Sequence, residues 1–340
     1  MKCQPVQKAR RIATKAWIVL LAGLLVANSG GAACNSNPTS GGGGGGGPTG
    51  VGGGSGTVGT PTPSPEAQRI HAALTPALIT DTKLANYLRD VGNRIIANAP
   101  PLDRSGRAPA VYFHLVRADG VVNATTTGTG YVYVTAELFR RCADEEELAA
   151  CLAHAYAHAY LRHRPAGVVG DGTNNERSAE QIVLDFVAKP FGPAEEREAD
   201  RTAYELFARA GWDPDRFGAV YRELASSRDL QGAVDLDALR RRADTQVQLS
   251  AASRDWRTRS VADTETFRSF QQQVASLAGG RAGVDDQAQL VAQSLPSCIF
   301  STDQPQQRDA QAKLKAQMQT KTPEGGPDPG NREKGRRRPL

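Results

Sequence analysis

The stretch Asp144-Glu145-Glu146-Glu147-Leu148-Ala149-Ala150-Cys151-Leu152-Ala153-His154-Ala155-Tyr156-Ala157-His158 decides how this chain is read. Asp144 offers an N-cap carboxylate, and Glu147 stands at the N3 place of a capping box. Leu148, Cys151, Leu152 and Ala155 then form one apolar stripe, so a helix is expected to run to about Arg162, where Pro165 and two glycines close it. His154 and His158 are four residues apart, which puts both imidazoles on one face, about 6 Å apart along the axis. That spacing suits a zinc ion, but a catalytic zinc site takes a third protein ligand and leaves a fourth position to water. Taken alone, the pair also reads as two ordinary helix histidines.

Candidates for the third ligand lie downstream, in Glu196-Arg197-Glu198-Ala199-Asp200. A helix is expected to begin near Pro193 and stop at Gly211. Glu196 and Asp200 stand one turn apart on it, so one carboxylate can reach a metal while the other orients a ligand imidazole. Alone, Glu196 reads equally as a solvated acidic residue favouring a helix N-terminus.

Residues 67–74 and 82–97 read as helices, the second with Leu84, Leu88, Val91 and Ile95 at spacings of three and four. Residues 110–116 and 131–134 alternate in the manner of strands, with a turn at Asp119-Gly120 between them. Asp213-Pro214 opens a further helix, and residues 232–252 and 264–278 suit two more. From about residue 300 the chain is polar, and a disordered tail is expected. The fold class implied is α+β, mostly helical, with a small sheet among helices.

Ordered features across residues 80–225 resemble the HtpX-like and CAAX-prenyl-protease-like zinc metallopeptidases. Leu84 to Ile96 resembles the family's leading helix, and Asn123-Ala124 stands where it has Asn-Ala-Phe. Gly128-Thr129-Gly130 followed by Tyr131-Val132-Tyr133-Val134 stands where it has Pro-Gly-Gly and a strand. Residues 146–154 resemble the approach to its zinc helix, Arg162-His163 the exit, 196–200 its third-ligand segment, and 209–214 the turn that follows. The resemblance implies a zincin-like fold with one Zn²⁺ held by His154, His158 and Glu196, and Asp200 behind them. It also implies that the strand Tyr131, Val132, Tyr133 and Val134 is a rail for an extended substrate, and that the partner is a protein or peptide.

One departure bears on activity. The family reads His-Glu-x-x-His, whereas this chain has Ala155 in place of the glutamate that serves as general base. A methyl group accepts no proton, and general acid–base catalysis contributes roughly 10²- to 10⁴-fold. Glu147 lies about 10 Å back along the axis, and Glu195 and Glu198 point about 100° and 200° away from Glu196. The family's glycine before the second histidine is Ala157 here, and its Phe and Pro ahead of the strand are Thr125 and Gly128. The expected function is therefore a zinc-binding pseudopeptidase; a working endopeptidase with a base from elsewhere and a metal-free relic of the fold are the alternatives.

The N-terminal region sets the compartment. Lys2, Lys8, Arg10, Arg11 and Lys15 precede an apolar run at 17–27 and the small residues Gly30-Gly31-Ala32-Ala33, the three parts of a secretory signal. Those five cations account for the whole formal charge of +5, which leaves the rest of the chain neutral and removes the support for a nucleic-acid partner. The apolar run is too short to span about 30 Å of hydrocarbon. Cys34 resembles a lipoprotein acceptor, although Gly31 stands where such signals carry Leu, so membrane attachment through lipidated Cys34 is expected, with a soluble exported protein as the alternative. Residues 35–65 contain no charge, carry seven successive glycines at 41–47, and suit a tether of roughly 30 Å. The organisation expected is a signal peptide over 1–33, a linker over 34–65, a metallopeptidase-like domain over 66–280, and helical segments with a tail over 281–340. Cys142 and Cys151, on opposite sides of a continuous helix, are not expected to pair.

Overall fold

A computed structural model of the chain describes residues 58–102, 108–163, 177–188, 191–230, 235–252, 260, 262–278, 285–300 and 303–321. The expected leader, Cys34 and the glycine run lie outside the described residues. Ser64 Oγ accepts the Ala67 N–H and opens α1 (Pro65–Leu74). Asp81 caps α2 (Thr82–Asn98) in the same way, and the predicted stripe Leu84, Leu88, Val91 and Ile95 is buried. Three strands follow: β1 (Tyr112–Val116), β2 (Ala124–Thr126) and β3 (Tyr131–Thr135). After them come α3 (Ala136–Arg141), α4 (Glu145–Tyr160), α5 (Ala179–Ala188), α6 (Pro193–Arg209) and α7 (Ala219–Ser226). The described chain ends with α8 (Leu236–Ala252), α9 (Thr264–Ala278), α10 (Asp286–Gln293) and α11 (Pro305–Lys321). No helix among the described residues is long and apolar enough to cross a membrane.

The strand order is β1-β3-β2, with β1 parallel and β2 antiparallel to β3. Successive residues of β3 face opposite sides, as a pleated strand requires. Val132 and Val134 join a core with Leu84, Leu88, Leu148, Leu152 and Phe207, while Tyr131 and Tyr133 join a second core with Ile70, Leu74, Phe186, Val291 and Leu314. The sheet is thus a middle layer, covered on one side by α2, α4 and α6 and on the other by α1, α5, α10 and α11.

This arrangement corrects three expectations. The strand of Tyr131, Val132, Tyr133 and Val134 cannot be a substrate rail, because β1 and β2 occupy both of its edges and an added strand needs a free one. The fold does not stop at 280: α10 and α11 bury Val291, Ala310, Leu314 and Met318 and close the second core. The expected tail is therefore helical to Lys321, and Ala310, Leu314 and Met318, four residues apart, form its buried face while Ala312 and Ala316 stay exposed. The linker is shorter than expected, since Gly130, at φ +82°, lets Pro63 approach so closely that a Cβ would stand 2.5 Å from it.

The capping at Asp144 is offset by one residue. Asp144 Oδ1 accepts the Glu147 N–H at 3.0 Å, but Glu147 Oε2 reaches the N–H of Ala143 at 2.8 Å rather than that of Asp144. The three glutamates that open α4 are buried near its positive end. Glu145 accepts from Trp212 Nε1 at 3.1 Å and Tyr87 Oη at 3.0 Å, and Glu146 accepts from Asp213 N at 3.1 Å. The turn after α6 is thereby docked onto the start of α4. Trp212 is fully buried and stacks on Phe207 at 5.4 Å. Trp212→Ala is expected to lower stability by about 3–5 kcal/mol, through a cavity and a lost hydrogen bond, measured as a fall in the urea midpoint. A loss below about 1 kcal/mol would show that the turn is not anchored there.

Cys142, Cys151 and Cys298 are free and buried. The helix expected to separate the first two is broken at Cys142, the C-cap of α3, so the reason given for keeping them apart does not hold. Their thiols meet, and that hydrogen bond, with burial, pushes the Cys142 thiol well above its ordinary pKa.

On the second face of the sheet His71 stacks on Tyr131 at 4.2 Å and lies 2.9 Å from the Tyr133 hydroxyl, beside His114. His114 Nε2 is buried without a hydrogen-bond partner, and burial, then the neighbouring His71, pushes its pKa down to about 4. The ordinary value is about 6.5, so between those pH values the unfolded chain binds the extra proton and stability falls as pH falls. His114→Phe is expected to flatten the slope of stability between pH 6.5 and 4 by up to about 1.4 kcal/mol per unit. Urea unfolding at a series of pH values tests this, and an unaltered slope counts against it.

Candidate metal centre

α4 and α6 cross with their histidine and carboxylate faces together. His154 and His158 project from α4 and are wholly buried, although the sequence around them is mainly alanine. Those alanines let α6 lie close against α4. His154 Nε2 stands 3.2 Å from Glu196 Oε2 and 3.3 Å from His158 Nε2, and His158 Nε2 stands 3.6 Å from Glu196 Oε1. Tetrahedral donors about 2.0–2.1 Å from a zinc ion are separated by roughly 3.3 Å, and one ligand atom from each of the three side chains lies within 4.8 Å of the others, so their chemistry and spacing suit such an ion after small side-chain adjustments.

The partners behind these donors settle which ring nitrogens face the centre. His154 Nδ1 lies 3.0 Å from Asp200 Oδ1, so its proton belongs there and its Nε2 lone pair points inward. His158 Nδ1 lies 3.2 Å from His163 Nδ1, and His163 Nε2 lies 3.3 Å from Glu198 Oε2. The chain of bonds is satisfied when His158 Nδ1–H donates to His163 and His163 Nε2–H donates to Glu198. This tautomer leaves the His158 Nε2 lone pair free for a metal. Phe191 stacks on the His158 ring at 3.8 Å and fixes its plane.

The titration of the group follows from burial and charge. Burial above all pushes the pKa of His158 down to about 4, so it is neutral and ready to ligate at pH 7. For His154, burial and the nearby Arg242 cation push downward, but Asp200 and Glu196 outweigh them and the net shift is upward. Burial opposes ionisation of Glu196, yet its hydrogen bonds to His154 and His158 and the Arg242 charge hold it well below the usual carboxylate range.

Four of the sequence-derived residues, His154, His158, Glu196 and Asp200, are therefore brought together. Ala155 is next to them, buried, with only its methyl group. The strand of residues 131–134 belongs to the middle of the sheet and does not reach into this group. Sequence reading missed Arg242. Its Nε donates to Asp200 Oδ1 at 2.6 Å and its Nη2 to Glu196 Oε2 at 3.1 Å. The same Nη2 lies 3.0 and 3.1 Å from the two ring nitrogens of His154, a position over the ring face. Arg242 stands in the run Arg240-Arg241-Arg242, which reads as solvated. The available signal was the flanking pair Leu239 and Ala243, both buried, which turns Arg242 inward while its two neighbours stay exposed.

The sequence model for "Peptidase family M48" matches residues 82–228. The Beta-barrel assembly-enhancing protease of Yersinia pestis is 30% identical over 176 residues, covering 44% of this chain and 34% of that protein. Its namesake from Escherichia coli K12 is 27% identical over 164 residues, covering 40% of this chain and 32% of that protein. The matched part thus spans about a third of the length of these curated relatives. Arg242 and the residues after it lie beyond the family match. The paired histidines on α4 and the glutamate on α6 all lie inside residues 82–228, the segment that matches peptidase family M48, and this similarity supports a metallopeptidase-family protein.

Proposed function

We propose that this chain is an exported pseudopeptidase: a zinc-binding member of its family that holds polypeptide and has lost the general base for cutting it. The observation that carries this reading is the contrast between an intact donor set and Ala155 beside it. His154, His158 and Glu196 offer ligand atoms that all lie within 4.8 Å of one another, and their tautomers are already set by Asp200 and His163. When bound, zinc would supply a Lewis acid and an acidified water. The protein's own part would be to hold the ion and exclude bulk water, which His154 and His158, both wholly buried, do. Among the described residues, proton transfer has no visible agent. Glu196 and Asp200 are both engaged by Arg242, and Glu198 lies on His163.

The relatives' printed name, concerned with assembly of β-barrels, supports a role in the bacterial envelope, and the leader with Cys34 supports export and a lipid tether. The client would be an unfolded or extended segment of an envelope protein, and no nucleic acid is involved. Zinc content and casein cleavage, measured together on the purified full chain, test the central claim. One zinc per chain without cleavage is the expected result. Cleavage abolished by chelation would replace this reading with that of a working endopeptidase, and absence of zinc would reduce the site to a relic. Export is tested separately: Cys34→Ala is expected to move the protein from the membrane to the soluble envelope fraction, and an unchanged distribution removes the lipid tether.

A further inference from the structure

Only Cys142, Ala143 and Asp144 separate α3 from α4, and hydrogen bonds fix the corner they make. The Cys142 N–H donates to the Leu138 carbonyl at 3.1 Å and closes α3, while its own carbonyl accepts from Gln271 Nε2 at 2.7 Å. The Ala143 N–H donates to Glu147 Oε2 at 2.8 Å, and Asp144 caps α4. Cys151 stands in the second turn of α4. The two cysteines share one core with Leu138, Phe139, Leu148 and Leu152, are 1% and 0% exposed, and hydrogen-bond to each other through their thiols.

A disulfide requires two Cβ atoms about 3.5–4.5 Å apart with the sulfurs between them. Thiols that hydrogen-bond across a fixed corner meet most of that requirement before any covalent bond forms. The third described cysteine, Cys298, turns elsewhere: its Sγ donates to Thr125 Oγ1 at 3.8 Å.

We infer that Cys142 and Cys151 are joined by a permanent disulfide in the exported protein, stapling the end of α3 to the helix that carries His154 and His158. The oxidising compartment rests on the export within the proposed function, whereas the pairing itself does not. The oxidant is a disulfide that takes part in thiol–disulfide exchange, such as oxidised glutathione. The thiolate of one cysteine attacks it, forms a mixed disulfide and expels one thiolate. The second cysteine, deprotonated in turn, attacks the protein sulfur of that mixed disulfide and expels the other thiolate. The cysteine pair loses two electrons to the oxidant, and the two expelled thiolates take up the two protons. Exchange needs a thiolate, and in the folded protein the contact with Cys151 and then burial raise the Cys142 pKa. The bond is therefore expected to form as α3 and α4 come together, and to be shielded from reductants afterwards.

Trypsin leaves both cysteines in one peptide, residues 142–162, since no Lys or Arg lies between Arg141 and Arg162. The full chain is purified, unfolded with reductant, refolded with reduced and oxidised glutathione, then alkylated in denaturant without reductant and digested. Mass spectrometry is expected to find this peptide two hydrogens lighter and without an alkyl group, and further cleavage after Glu147 is expected to leave its halves joined. A doubly alkylated peptide, or either cysteine linked to Cys298, would overturn the pairing. Permanence is tested by adding dithiothreitol to the bridged chain: reduction in the native state is expected to be at least about tenfold slower than in urea, because the core must open first. Equal rates would overturn the staple and leave an exchangeable bond. The same digest of acid-quenched cells is expected to show the bridge in the envelope fraction. Free thiols at both positions in an envelope-located chain would overturn the inference. Free thiols in a chain found only in the cytoplasm, with the bridge formed on refolding, would support the pairing and overturn export instead.

Discussion

Ala155→Glu is expected to hydrolyse casein roughly 10²- to 10⁴-fold faster than the wild type, the range that a placed general base contributes. Position 155 follows His154 on α4, where the family's glutamate stands, so the new carboxylate arrives on a helix already fixed by packing. Ala155 is wholly buried, so Ala155→Glu is also expected to lose stability, since a buried carboxylate without a hydrogen-bond partner is costly. Casein cleavage with and without chelator, alongside zinc content, measures the outcome. An Ala155→Glu variant that holds one zinc per chain and still fails to cleave would show that something besides the base is missing.

His158→Ala is expected to abolish stoichiometric zinc binding. Loss of an outer partner of a metal ligand already weakens affinity by about 10- to 100-fold, and loss of the ligand itself exceeds that. The substitution also removes the ring stacked on Phe191 and the partner of His163, so the metal-free protein is expected to lose stability as well. His163→Ala separates the two effects: it keeps all three donors but frees the His158 ring, and its affinity is expected to fall only within the outer-partner range. Competition with a zinc chelator of known affinity gives both values. Full zinc binding by His158→Ala would mean that His154, His158 and Glu196 are not the site.

Local sequence signals carried α4 and α6 because their information is periodic and short in range. The Asp144 cap, the apolar stripe from Leu148 to Ala155 and the four-residue spacing of His154 and His158 needed no tertiary partner to be legible. The same holds for α2, whose Leu84, Leu88, Val91 and Ile95 all face the core. The helix α11 escaped because its apolar residues are isolated: Ala310, Leu314 and Met318 each stand among polar neighbours, and only a nearby half-finished core makes them a buried face. Gly92 belongs to the same class, since its missing Cβ matters only once Phe113 lies where that atom would stand, at 2.3 Å.

What the sequence by itself determined is the similarity to a peptidase family, the mostly helical class, the grouping of His154, His158 and Glu196 with Asp200 as a candidate donor set, and an alanine at position 155. These are properties of residue type and spacing along single helices, and a helix has one geometry. Tertiary structure alone decided the order β1-β3-β2, which denies β3 a free edge, and the arrival of Arg242 and residues 297–300 at the metal centre. Strand order and the meeting of segments 46 residues or more apart leave no local pattern, as in the bond from Arg242 to Glu196. They are settled by which apolar faces remain uncovered after the helices have formed, and by the need of a buried guanidinium to find carboxylates and carbonyls for its N–H groups.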